Sequence, residues 1–295
     1  MMKADTAAPG LEYLEKRRRE VDELLDRFLP AESVYPEQLH QAMRYSVLAG
    51  GKRIRPTLAL TAYEAFGGNN QDIINPAACA LELIHTYSLI HDDLPCMDDD
   101  ELRRGKPTLH VKYDEASAVL AGDALHDLAF ELVARSGSAR AVAELAGAIG
   151  TEGMIGGQFA DVAAEGKLVT LDEITYIHAH KTGALIRACI RIGAILADVN
   201  DVTLDRLTHY GEKIGFAFQI IDDILDVEGD QEELGKKVGS DCKNRKATYP
   251  GTVGLKQART DAARIIEEAV AISREFDLKE NYFEQIARFI GWRKK

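Results

Sequence analysis

Apolar residues recur along this chain every three to four positions, the period of helices that each bury one face. Between Leu11 and Leu29 the stripe is Leu14, Val21, Leu24, Leu25 and Phe28 among charges, closed by Pro30. Leu39, Met43, Val47 and Leu48 predict a second helix that stops at Gly50-Gly51. A third is expected to open at Pro56, since proline suits a first helical turn, and to end near Phe66 before Gly67-Gly68-Asn69-Asn70. Pro76 is expected to open a long apolar helix carrying Leu81, Ile84, Leu89 and Ile90. No proline lies between Pro107 and Pro250 and alternating β-branched residues are scarce there, which predicts long helices.

In that stretch Leu125, Leu128, Ala129, Leu132 and Val133 mark a core helix, and another is predicted from Ala139 to about Val162. Thr170-Leu171-Asp172-Glu173 has the form of a capping box starting a helix toward Ile195. Asn200-Asp201 is the expected cap of the next, whose later turns carry Asp222, Asp223 and Asp226. A loop from Gly235 to Tyr249 and two helices, Ala258 to Phe276 and Tyr282 to Ile290, complete the pattern. No strand, repeat or low-complexity linker is predicted. Residues 1–10 are small and polar and expected to be disordered, and residues 11–295 form one all-α domain.

Composition narrows what such a bundle does. With 295 residues, 46% of them hydrophobic, the chain can bury a large core. A formal net charge of −12 argues against nucleic acid as a partner. Basic residues are nevertheless gathered at Lys52-Arg53-Arg55, at Arg103-Arg104-Lys106 and from Lys236 to Lys246, as expected where anions are held. The four cysteines form no CxxC pair, which fits free thiols in a reducing compartment. No apolar run reaches about 18 residues and no signal-peptide core precedes the first helix, so neither stable membrane insertion nor export is expected, and the predicted location is cytoplasmic.

Two acidic clusters carry the candidate chemistry. Asp92, Asp93, Asp98, Asp99, Asp100 and Glu101 fall within ten residues. An isolated acidic run is usually a solvated turn, but the second cluster is different: Asp222, Asp223 and Asp226 interrupt an apolar run of Phe218, Ile221, Ile224 and Leu225. Carboxylates so placed lose water and need a proton or a cation. Hard, oxygen-preferring Mg²⁺ shared with a phosphorylated substrate meets that need. Asp222 and Asp226 are one helical turn apart, whereas Asp92 and Asp98 are about 240° apart on an unbroken helix. Pro95 between them is expected to interrupt the helix, letting the chain bulge and bring Asp98 back beside Asp92.

Together the clusters resemble the two aspartate-rich motifs, DDxxxxD and DDxxD, of the trans-isoprenyl diphosphate synthase family. The similarity extends to Gly50-Gly51-Lys52-Arg53-Ile54-Arg55-Pro56, Gly122-Asp123-Ala124-Leu125, Gly157-Gln158, Lys181-Thr182-Gly183, Phe218-Gln219 and Lys246-Ala247-Thr248-Tyr249-Pro250. Within that family the pattern is most similar to the bacterial farnesyl type. The resemblance implies a single-domain isoprenoid-synthase bundle around a central cavity, a homodimer, and Mg²⁺-assisted condensation of isopentenyl diphosphate with allylic diphosphates. Geranyl or geranylgeranyl synthesis is the near rival; a terpene cyclase or a regulatory subunit would carry a different or degraded second motif.

Residue by residue, the resemblance implies metal binding at Asp92, Asp98 and Asp222, with Asp93 and Asp226 alongside. Arg103, Lys181, Lys236 and Lys246 would anchor the allylic diphosphate, with Thr182 and Gln219 beside them. Lys181, Thr182 and Gln219 are the catalytic residues it implies, with the carbocation stabilised by carbonyl oxygens that a helix bend at Lys181-Thr182-Gly183 would free and by the Gln219 side chain. Lys52, Arg55, His85 and Arg104 would hold isopentenyl diphosphate without metal. No general base is assigned, since in the family the released diphosphate takes the proton. Tyr87, five residues before Asp92, with Ser88 beside it, is expected to limit product length by bulk.

Overall fold

The computed structural model describes residues 9–228 and 246–292. In chain order its helices are α1 (Pro9–Phe28), α2 (Glu37–Val47), α3 (Ile54–Ala65) and α4 (Gln71–Asp92). A two-stranded hairpin follows, β1 (Leu102–Arg103) with β2 (Lys106–Pro107), and then α5 (Leu109–Lys112), α6 (Glu115–Ala134), α7 (Ala139–Ile149), α8 (Met154–Ala164) and α9 (Leu171–Ile177). A π-helical turn, His178–Gly183, leads into α10 (Ala184–Leu196) and α11 (Asp201–Glu228), and α12 (Tyr249–Val253), α13 (Leu255–Arg274) and α14 (Tyr282–Trp292) end the described chain. Lys236, most of the predicted loop around it, and residues 1–8 of the segment expected to be disordered lie outside the described residues, while Pro9 and Gly10 open α1.

The fold is all-α, with α4 at its centre. Both sides of α4 are apolar because it packs against α3 and α6, while α10 lies on α3 and α11, and α11 on α13. By length and composition α4 is the one described helix that could cross a membrane, contrary to the expectation of no such run, and 72% of its apolar window is buried inside the bundle. Its apolarity is that of a core helix.

Several boundaries differ from the sequence pattern for local reasons. Helix α3 begins at Ile54, so Pro56 lies inside the first turn, where its missing N–H costs nothing. Helix α4 begins with Asn70 capping the Asp72 amide, more than a turn before Pro76. The helix expected from Ala139 to Val162 is split into α7 and α8. A side chain at Gly153 would sit 2.1 Å from the Ala148 carbonyl oxygen, so the chain turns here where only glycine fits. The capping box at Thr170 and Glu173 and the Asn200 cap are formed as expected. The small hairpin is the departure from a strandless chain. Arg104 and Gly105, at its two central positions, both have positive φ (54° and 74°), the geometry of a tight primed turn.

Candidate active site

One cavity of about 1030 Å³ opens between α3, α4, α8, the π turn and α11, and both acidic clusters line it. Asp92 is the last residue of α4. Rather than bulging within a continuing helix, the chain leaves α4 and turns back through Pro95, and the Asp98 amide donates to the Asp92 carbonyl at 2.8 Å. Burial raises the Asp92 carboxyl above the usual range against the pull of Lys181, and the Asp98 charge adds to the rise. From the opposite wall Asp222 and Asp226 enter the cavity one turn apart on α11.

Cations already stand among these acids. Lys246 Nζ donates to Asp98 Oδ2 at 2.7 Å and Lys181 Nζ to Asp161 Oδ2 at 2.6 Å. Burial opposes the Lys181 charge, but Asp161, Asp92 and Asp98 outweigh it and hold the ammonium above the ordinary lysine range. Among the described residues no three acid, His or Cys side chains converge into a ready-made metal cage. The donor set is instead all oxygen and spread over two walls, which fits Mg²⁺ held by one or two carboxylates and completed by phosphate oxygens.

Asp93 has another partner. It is buried, and Arg103 Nε donates to both its oxygens at 2.7 and 2.8 Å. Burial pushes the Asp93 carboxyl up to about 6 even with Arg103 opposing. The pair fixes Arg103, which still reaches the cavity. On α11, Asp223 likewise faces the bundle: it accepts from Gln219 Nε2 at 2.9 Å and from the Tyr249 amide at 2.7 Å, with His178 Nε2 at 3.2 Å. Thr182 Oγ1 donates to Gln219 Oε1 at 2.7 Å, which orients that amide from both ends.

The predicted bend at Lys181-Thr182-Gly183 is a π turn, a form that leaves carbonyls outside the regular ladder and recurs at functional sites. Its depth in the cavity depends on Gly157, where a β-carbon would lie 2.1 Å from the Lys181 amide nitrogen. The next residue, Gln158, lines the cavity with both amide atoms buried and without a hydrogen-bond partner.

Lys52, Arg55, His85 and Arg104 form a basic corner of the same cavity. Arg104 donates to the Gly50 carbonyl, and its guanidinium lies 3.0 Å from where a Gly51 side chain would begin. Burial and then the charges of Arg55, Arg104, Arg103 and Arg53 drive His85 well below the usual histidine range, so it is a neutral group here. Tyr87 is buried in the cavity wall, its ring edge-on to His91 (5.6 Å) and His126 (5.2 Å), with Ser88 beside it. Helix α6 comes this close because Gly122 leaves room for His91, whose Nε2 lies 3.1 Å from the Val119 carbonyl oxygen.

The structure thus brings every described residue of the expected site to this cavity except Asp93. It adds Asp161, Asp223, His178 and Gln158, which the sequence reading left without a role. Asp161 was within reach, three residues after Gln158 and so on the same helical face; the inward direction of Asp223 depends on where Tyr249 returns to the bundle.

Comparison with known proteins agrees with this geometry. A family model described as polyprenyl synthetase matches residues 36–286. The chain is 45% identical to farnesyl diphosphate synthase of Escherichia coli (strain K12), over 96% of this chain and 99% of that one. It is 44% identical to a geranylgeranyl diphosphate synthase of Cyanophora paradoxa over 95% of each. Among solved structures, the Helicobacter pylori geranyltransferase complexed with magnesium and isoprenyl diphosphate superposes with a TM-score of 0.83, at 33% identity, over 97% of both chains.

Proposed function

Since this chain belongs to the polyprenyl synthetase family and is a trans-prenyltransferase that elongates isoprenyl diphosphates, we propose that its product is (2E,6E)-farnesyl diphosphate. It would be made head-to-tail from isopentenyl diphosphate and dimethylallyl, then geranyl, diphosphate. The observation that carries this reading is the bulky Tyr87 ring in the cavity wall, five residues before Asp92 and braced by His91 and His126. Farnesyl and geranylgeranyl synthases are about equally similar to this chain, so the shape of the cavity is the basis for choosing between them.

In this reading the two ends of the polar cavity divide the work. Lys52, Arg55, Arg104 and neutral His85 hold isopentenyl diphosphate away from the carboxylates, so that it stays intact. Arg103, Lys181 and Lys246 grip the allylic diphosphate, Arg103 as a fork and the lysines as point charges. Asp92, Asp98, Asp222 and Asp226 would hold Mg²⁺, which when bound neutralises the charge on the departing diphosphate. Asp93 acts through Arg103. The Thr182 hydroxyl, the Gln219 amide and the carbonyls of the π turn face the developing allylic cation with the oxygen ends of their dipoles. No side chain of this protein is assigned as the base.

The same reading makes the enzyme a cytoplasmic homodimer, consistent with the free thiols of Cys79, Cys96 and Cys189; light scattering tests the dimer. The deciding experiment supplies isopentenyl diphosphate and Mg²⁺ with dimethylallyl, geranyl or farnesyl diphosphate in turn. Farnesyl diphosphate from the first two primers and no turnover of the third is the expected result. Twenty-carbon product from the wild-type chain overturns the assignment in favour of geranylgeranyl synthesis.

A further inference from the structure

Between Lys52 and Arg55 lies Arg53, whose side chain is buried beside the same cavity. Its side chain is 1% exposed and its guanidinium makes three bonds: Nε to Asp22 Oδ1 at 2.8 Å, Nη1 to Glu82 Oε1 at 2.6 Å and Nη2 to the Val47 carbonyl at 2.7 Å. These partners come from α1, α4 and the end of α2, so one side chain ties three elements to the turn. Arg53 itself has left-handed backbone (φ 51°, ψ 35°) immediately before α3. Such a conformation persists in a non-glycine residue only where the surroundings fix it. Glu82 is also buried and stands one helical turn before His85 on α4.

We propose that Arg53, paired with Glu82, is a positioning residue for the isopentenyl diphosphate subsite. It sets the turn from Gly50 to Arg55 against the helix that carries His85. That turn delivers Lys52 and Arg55 to the cavity, and its Gly50 carbonyl holds Arg104. The allylic subsite draws on Asp92 at the far end of α4, Asp98, Arg103, α8, the π turn, α11 and Lys246; of these Arg53 touches α4 alone, at Glu82, well before Asp92. The inference rests on the substrate assignment above.

A buried ion pair can also serve stability alone, and the two roles separate in a double variant. Arg53→Met leaves Glu82 charged and unpaired, and is expected to lose stability. Arg53→Met/Glu82→Met removes one positive and one negative charge, keeps the net charge beside the subsite, and is expected to recover melting temperature. Binding of isopentenyl diphosphate, measured by calorimetry without metal, should remain weaker than in the parent by about ten-fold or more, with the geranyl diphosphate KM within about two-fold. Arg53→Lys keeps the charge but loses the three-way fork, and should fall between parent and double variant. Parental affinity in a folded double variant, or in Arg53→Lys if the neutral variants do not fold, overturns the proposal, as does equal loss for both substrates. A parent that binds no isopentenyl diphosphate overturns the substrate assignment itself.

Discussion

Lys246 Nζ rests 2.7 Å from Asp98 Oδ2 although 148 residues of chain separate them. The lysine offsets the charge of a carboxylate proposed to hold Mg²⁺, so lysine and metal would compete for Asp98. A displaced Lys246 ammonium would serve instead as an anchor for the allylic diphosphate. Lys246→Met removes both the competitor and the anchor. Calorimetric Mg²⁺ binding without substrate should be at least as tight as in the parent. The KM for geranyl diphosphate should rise roughly 10- to 100-fold, the value of a charge-assisted hydrogen bond. An unchanged KM would restrict Lys246 to its role at Asp98.

Tyr87→Ala tests the floor of the cavity. Its ring lines the cavity five residues before Asp92 on α4, edge-on to His126 of α6, and truncation would add room there without removing a proposed diphosphate anchor. Products of twenty carbons or more should appear beside farnesyl diphosphate, with the KM for isopentenyl diphosphate little changed. An unaltered product profile by chromatography would reject Tyr87 as the stop.

Much of this site was legible in the chain because its chemistry is concentrated in short segments. The i, i+4 step from Asp222 to Asp226, the Gly50-Gly51-Lys52 turn and the order of motifs needed no tertiary information. The proline between Asp92 and Asp98 signalled that they meet, though not that the helix would end there instead of bulging. Asp92 and Asp93 are neighbours in one acidic run, and the return of the β1–β2 hairpin, bringing Arg103 to Asp93, is what gives them different surroundings. Arg53 reads as a third cation of a basic run, since its inward turn is fixed by Asp22 and Glu82 from distant helices.

Gly157→Ala tests whether close packing places the π turn. The added methyl would fall 2.1 Å from the Lys181 amide nitrogen, and that atom is backbone that cannot swing aside. Helix α8 must then move off the turn, at about 1–3 kcal/mol for an overpacked core. The melting temperature should fall by roughly 5 °C, and kcat should fall further than Tm implies, because Asp161 moves away from Lys181 with the helix. Wild-type kcat in a folded Gly157→Ala protein would show that the turn tolerates displacement.

The last prediction concerns pH. His85 sits where burial and four arginines oppose its protonation, so its folded-state value lies well below the ordinary one. In the unfolded chain it takes up a proton near pH 6.5. Below that pH the unfolded state binds a proton that the folded state refuses, so stability is lost as the pH falls and is fully present above about 6.5. Between pH 7.5 and 5.5 the urea midpoint of the wild type should therefore drop more steeply than that of His85→Gln. The difference between the two curves isolates this residue, since the other titrating groups are common to both. Parallel curves would mean that the imidazole is charged or solvated in the folded protein. In the proposed subsite a neutral His85 would also have a functional consequence: it would offer isopentenyl diphosphate a hydrogen-bond donor whose state does not change above the ordinary histidine value of about 6.5. The wild-type KM for that substrate should then carry no inflection from His85 in this range, leaving Lys52, Arg55 and Arg104 as the full charges of the subsite.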